Sequence, residues 1–270
     1  MPILLLIIER DRVDLHNKRR NDRKNAMKYL GKNPYSWPNK IIDGLYVYFK
    51  IFRMKRLKPI KFVSTEISRQ PETTFIKNEF SLTNSMNEFG SDKGNYHGYT
   101  EIYQDKLEHK RFEINRIVEI GVGTADLTIP SNMGPKGVPG ASLRAWRSYA
   151  PNAQIIGADI DTKVLFQEDR INTYYLDQLN LRSFPSFLEK ITSSIDLLVI
   201  DGLHTPRADF NTVVNLLPYL AIDGDCFIED VGNISSKYIW PVVLNQLNSR
   251  YISKIQRRQR GNIIHIRRMY

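Results

Sequence analysis

The chain has 270 residues, 41% of them apolar, enough to bury one full core with segments left over. Its single cysteine, Cys226, excludes an intrachain disulfide and fits a reducing compartment. The net charge of +10 is concentrated at the ends: residues 1–70 hold 17 Lys and Arg against 6 Asp and Glu, residues 71–249 hold 15 against 23, and residues 250–270 add seven cations and no acid. An acidic middle between basic ends excludes the even cationic face of a nucleic-acid module, so no nucleic-acid partner is expected.

The opening MPILLLIIERDR is far shorter than the roughly 20 apolar residues of a membrane span, and it lacks the flanks of a signal peptide. A cytoplasmic protein is expected. Residues 9–40 are polar, with Asn33-Pro34 and Trp37-Pro38 favouring turns. The stretch 41–62 is apolar and aromatic first, basic afterwards. It reads as a helix packing on the main domain or on a second copy of the chain, with an interfacial helix on an anionic membrane as the alternative. Residues 1–80 are therefore taken as a basic, partly helical arm, and 81–270 as the main domain.

From residue 114 strands and helices alternate. NRIVEIG (115–121), AQIIGADID (153–161), NTYYLDQ (172–178), SIDLLVIDG (194–202) and GDCFIEDVG (224–232) are predicted strands. The spacing predicts helices over 141–150, over 181–191 with a break at Pro185, over 207–220, and over 236–247 with Pro241 near its first turns. Short buried strands alternating with helices specify a parallel sheet with right-handed crossovers. Residues 251–258 and 262–269 read as a terminal hairpin. The expected fold is a doubly wound, mostly parallel seven-stranded α/β sheet of order 3-2-1-4-5, with the antiparallel hairpin outside.

In such a sheet ligands bind beyond the carboxyl ends of the strands, so residues at those ends are read together. Gly121 and Gly123, after the first strand, let the backbone pass close to a cofactor. Asp159, ending the second strand, suits a pair of ribose hydroxyls, and Asp177-Gln178, ending the third, suit an adenine amino group. Three strand ends in succession thus match parts of an adenosyl ligand. The fourth and fifth ends carry Asp201, His204 and Asp230. With Glu119 these acids are expected at one edge of the cleft, where their mutual repulsion calls for a cation such as Mg²⁺. His204 is the histidine beside that cluster and the candidate general base. His16, His97, His109 and His265 lack the setting, although His97 sits in a distinctive motif.

FGSDKGNYHGYTEIY (89–103), IVEIGVGT and GASLRAWRSYAPNAQIIGADID (140–161) together resemble the metal-dependent sugar O-methyltransferases. That family acts on macrolide-bound deoxysugars and related glycans and is similar to the rhamnosyl O-methyltransferase and cephalosporin hydroxylase group. The similarity covers roughly 85–232 and leaves the first 80 residues unmatched. It implies a Rossmann-like class I methyltransferase using S-adenosylmethionine and a divalent metal. It places Ser91, Lys93 and Tyr99 over the methionine end of the cofactor, Asp159 on the ribose, and Asp177 and Gln178 on adenine. It makes His204 the base, with Asp201, Asp230 and Glu119 as metal ligands, Glu119 also counting among the residues lining the cofactor. The sequence departs from the family where Asp-Asp-Gly-Ser-His is replaced by Ile-Asp-Gly-Leu-His, so Leu203 removes one polar contact. Residues 124–139 look like a Gly- and Pro-rich lid over the substrate, or else a long surface loop.

The expected reaction is methyl transfer to a hydroxyl of a sugar on a surface polysaccharide, glycolipid or nucleotide-linked intermediate. The alternatives are a non-sugar acceptor, such as an antibiotic precursor, and a catalytically silent binding protein on the same fold. A homo-oligomer and a peripheral contact of the basic arm with the inner membrane face are the remaining expectations.

Overall fold

The computed structural model describes residues 37–55, 66–68, 80–247, 249–258 and 260–270. Lys40–Tyr270 is one compact unit. The elements in chain order are α1 (Trp37–Lys55), β1 (Glu66–Ser68), α2 (Leu82–Phe89), α3 (Thr100–Leu107), β2 (Arg116–Ile120), α4 (Ala141–Tyr149), β3 (Gln154–Asp159), β4 (Gln167–Glu168), β5 (Ile171–Tyr175), α5 (Phe184–Leu188), β6 (Ile195–Ile200), α6 (Pro206–Leu216), β7 (Leu220–Val231), α7 (Trp240–Leu244), β8 (Tyr251–Arg258) and β9 (Gly261–Arg268).

All nine strands join one sheet in the order β1-β8-β9-β7-β6-β2-β3-β5-β4. Its centre, β5-β3-β2-β6-β7, is parallel and has the expected 3-2-1-4-5 order. The hairpin lies outside it, with β9 antiparallel to β7 and β8 antiparallel to β9. Two very short strands extend these seven: β1 pairs parallel with β8, and β4 pairs antiparallel with β5.

Helices cover both faces, as a sheet of continuous apolar strands requires. On one face Phe210 and Val213 of α6, Trp240 of α7 and Val47 and Ile51 of α1 share a core with Ile120, Ile200 and Ile228. On the other, Met86 of α2, Tyr103 of α3 and Trp146 of α4 pack over Ile117, Val199 and Phe227. A helix that began as part of the basic arm is thus built into the main core. The predicted residues 56–62 of that segment, and the Asn33-Pro34 turn, lie outside the described residues.

Local signals fix the ends. The Ser81 side chain caps α2 by accepting from Asn84 N, and Gly90 closes that helix with φ of 86°. Thr205 caps α6, and Pro206 sits in its first turn. Pro185 does not break a helix, contrary to the sequence expectation. Helix α5 starts at Phe184, so the missing N–H falls in the first turn, where no partner is needed. Likewise the predicted helix 236–247 is a π-helical turn, Ser235–Ile239, leading into α7 with Pro241 near its start. Among the described residues no helix is long and apolar enough to cross a membrane.

Candidate active site

A cleft opens at the carboxyl ends of β2, β3, β5 and β6, lined by Gly121, Gly123, Asp159, Asp177, Gln178 and Asp201 among others. Gly121 has φ of 109° and its Cα faces the Asp201 carbonyl, so a side chain there would collide with the β6 backbone. Gly123, with φ of 88°, lies under the Met133 side chain. Met133 belongs to the irregular segment 124–139, which folds back over the cleft. Met133 N donates to Thr124 O at 2.9 Å, Ser131 Oγ donates to Leu203 O at 3.1 Å, and Ile129 and Pro130 line the opening.

Asp159 ties the glycine turn to β3. Its Oδ2 accepts from Val122 N at 2.9 Å and Gly123 N at 3.0 Å, and its Oδ1 accepts from Asp161 N at 2.9 Å. Burial nevertheless raises its pKa, against the pull of those three N–H groups. Asp177 Oδ1 accepts from Leu179 N at 2.9 Å. Gln178 is turned inward: Oε1 accepts from Leu203 N at 2.8 Å and Nε2 donates to Thr212 Oγ1 at 2.9 Å, so it braces the loop after β6.

Beneath this cleft lies a buried charge cluster that the sequence reading did not anticipate in this form. The Lys93 ammonium, on a side chain only 2% exposed, pairs with Asp201, donates to Glu229 Oε2 at 2.7 Å, and stands 3.6 Å from Glu119 Oε1. Glu119 also accepts from Ser142 Oγ and Trp146 Nε1, both at 2.6 Å, while Glu229 accepts from the Tyr103 hydroxyl. Burial would lower the Lys93 pKa, but the three carboxylates hold it well above the usual lysine value. Burial keeps Glu119 and Glu229 raised even with that cation beside them. Of the three acids expected to need a bound cation, Glu119 and Asp201 therefore meet a lysine of the chain itself, which also pairs with Glu229. Ser91 accepts from Lys93 N at 3.4 Å and shapes the turn that delivers it.

Asp201, His204 and Asp230 do converge, each offering one ligand atom with all three within 4.8 Å of one another. Glu119 is not brought to this group. His204 Nε2 is 3.6 Å from Asp201 Oδ1 and 3.9 Å from Asp230 Oδ2, and its Nδ1 is buried with no hydrogen-bond partner. His204 (φ 54°) and Asp230 (φ 51°) are both left-handed, a strained state for such residues that gathers at functional sites. At Asp230 it coincides with a register shift between Ile228 and Val231, a bulge that re-aims the side chain. Two carboxylates with an oxygen each toward a common point fit a hard divalent cation.

Tyr99 lies below Asp230, donating to its Oδ1 at 2.6 Å. His97, which the sequence reading set aside, stacks on Tyr99 and places Nδ1 3.4 Å from Asp230 Oδ1 and Nε2 3.5 Å from Asp92 Oδ2. Burial would lower its pKa, but the bond to Asp92 and the charge of Asp230 raise it overall. Its signal was the motif it stands in, six residues after Ser91, rather than any acid next to it in sequence.

No protein-family model matches the sequence. The chain is 31% identical over 152 residues to the 8-demethyl-8-alpha-L-rhamnosyl tetracenomycin-C 2'-O-methyltransferase of Streptomyces olivaceus, covering 56% of this chain and 37% of that protein. It is 29% identical over 166 residues to the mycinamicin VI 2''-O-methyltransferase of Micromonospora griseorubida, covering 61% and 37%. The chain thus spans little more than a third of the length of these relatives. Among solved structures, the MycE methyltransferase of the mycinamycin pathway, in complex with Mg, SAH and mycinamycin VI, superposes with a TM-score of 0.55 at 22% identity, over 70% of this chain and 53% of that one. The fold is that of the class I methyltransferases.

Proposed function

We propose that this chain transfers the methyl group of S-adenosylmethionine to a hydroxyl of a sugar, with His204 as general base and Mg²⁺ or a similar ion held by Asp201 and Asp230. The observation that carries the reading is the convergence of Asp201, His204 and Asp230 at the rim of a cleft whose other strand ends offer Gly121, Gly123, Asp159 and Asp177. The sugar O-methyltransferases among its relatives give the same direction.

When bound, the cofactor supplies an already activated methyl and the metal lowers the pKa of a coordinated hydroxyl. The chain's own work is positioning. Asp159 fixes the glycine turn that would hold the adenosyl group. Lys93 aims Asp201 through their ion pair, and Tyr99 aims Asp230 by donating to its Oδ1. His204 Nε2 takes the hydroxyl proton at the side of the two acids. Residues 124–139 close over the cleft and exclude water. In this account residues 81–270 perform the reaction, and the arm 1–80 serves placement. The acceptor is a sugar of a surface glycan, a glycolipid or a nucleotide-linked intermediate.

The test is transfer of labelled methyl from S-adenosylmethionine to a panel of rhamnosyl and other deoxysugar glycosides, with and without chelator. His204→Ala is expected to cut turnover about 10²–10⁴-fold while leaving cofactor binding intact. Full turnover by that variant, or in excess chelator, overturns the assignment.

A further inference from the structure

Helix α1 has two apolar faces, and the reaction uses neither. One is seated on the domain: Val47 and Ile51 are buried in the core, Tyr48 donates to Tyr238 O at 2.6 Å, and Tyr46 reaches Asn211 Oδ1 at 3.4 Å under the Arg207 guanidinium. Through Asn211, which donates to Gln178 O at 2.9 Å, that seat is continuous with the floor of the cleft. The other face carries Ile42, Leu45 and Phe49, at 59%, 51% and 58% exposure. Their spacing of three and four residues puts them in one stripe. Lone exposed apolar residues are ordinary on a protein surface, but an aligned stripe of three large ones marks an interaction surface.

The charge around the stripe selects its partner. Between Gly44 and Phe62 the chain has six Lys and Arg (Lys50, Arg53, Lys55, Arg56, Lys58, Lys61) and no acid. Arg53 lies over the Phe49 ring at 5.8 Å, beside the stripe itself. A surface that is apolar within and anionic at its boundary satisfies both properties at once. We infer that α1 docks the enzyme in the plane of an anionic lipid bilayer, with Ile42, Leu45 and Phe49 entering the acyl boundary and Lys50 and Arg53 on the headgroups. The docking itself stands independently of the methyl-transfer reading.

The experiment is flotation of the full chain with vesicles of equal phosphatidylglycerol and phosphatidylcholine, against vesicles of phosphatidylcholine alone. Wild type should float with the anionic vesicles and be released by high salt. Leu45→Gln/Phe49→Gln should weaken binding at least about tenfold through lost apolar burial. Lys50→Gln/Arg53→Gln should weaken it about fivefold for each cation removed. All four residues lie outside the packed core, and an unchanged circular-dichroism melt confirms that the variants fold. Absence of flotation at physiological salt, or equal flotation of the variants, overturns the inference. So does a wild-type dimer that Leu45→Gln/Phe49→Gln dissociates in the absence of lipid, which would assign the stripe to a second copy.

Discussion

Replacing Lys93 by methionine keeps the length and apolar bulk of the side chain and deletes one charge. That ammonium is the shared partner of Asp201, Glu229 and Glu119, and the latter two are essentially sealed from solvent. Removing one member of a buried ion pair leaves an uncompensated buried charge and costs about 3–5 kcal/mol. For a domain of this size each kcal/mol moves the melting temperature by about 2–4 °C, so Lys93→Met should melt about 6–20 °C below wild type. Adding Glu229→Gln removes one of the stranded charges and should recover part of the loss, whereas Glu229→Gln on the wild-type background should destabilise. The assay is thermal unfolding followed by circular dichroism at neutral pH on the four proteins of the cycle. A Lys93→Met shift under about 2 °C, worth less than 1 kcal/mol, would refute the placement of the ammonium inside the acid cluster.

Other consequences follow from groups outside that cluster. Burial, reinforced by Asp201, Asp230 and Asp43, raises the Asp209 carboxyl well above the usual range. A carboxyl with a raised folded pKa contributes stability below its unfolded pKa and loses it as pH rises. Asp209→Asn should therefore melt higher than wild type at pH 8 and show no such gain at pH 4. Asp225 behaves oppositely: burial would raise it, but His265 at 2.6 Å and Lys110 at 2.6 Å hold its pKa below the ordinary value. Its contribution is present above the unfolded pKa and disappears as pH falls through the folded one. Asp225→Asn should cost about 3 kcal/mol at pH 7 in denaturant unfolding, with the gap to wild type closing below about pH 4. A gap independent of pH would contradict the pairing.

The sheet was legible because its strands are short apolar runs ended by Gly or Asp, and because five parallel strands followed by a hairpin leave few topologies. Side-chain parity was harder to see. Glu119 pairs in register with Val199, and Val199 with Phe227, so Glu119, Asp201 and Glu229 fall on one face of the sheet. Counting alternate positions from the strand ends would have grouped these three and left Asp230 apart. It would not have supplied Lys93, which enters from a turn 26 residues before Glu119, nor the left-handed backbone that swings Asp230 toward His204. The aromatic partners Tyr103 and Trp146 read simply as core residues at helical spacing. Their hydroxyl and indole N–H acquire meaning only against the buried acids. His97 was passed over because its acids, Asp92 and Asp230, reach it from its own loop and from a strand more than 130 residues away.

The central claim is that the cleft lined by the glycine turn, Asp159 and Asp177 holds S-adenosylmethionine. Calorimetric titration of wild type and Asp159→Ala with S-adenosylmethionine, with and without Mg²⁺, tests it most directly. The account predicts saturable binding by wild type and its loss in Asp159→Ala. Absence of binding by wild type under both conditions, or unchanged affinity in the variant, would contradict it.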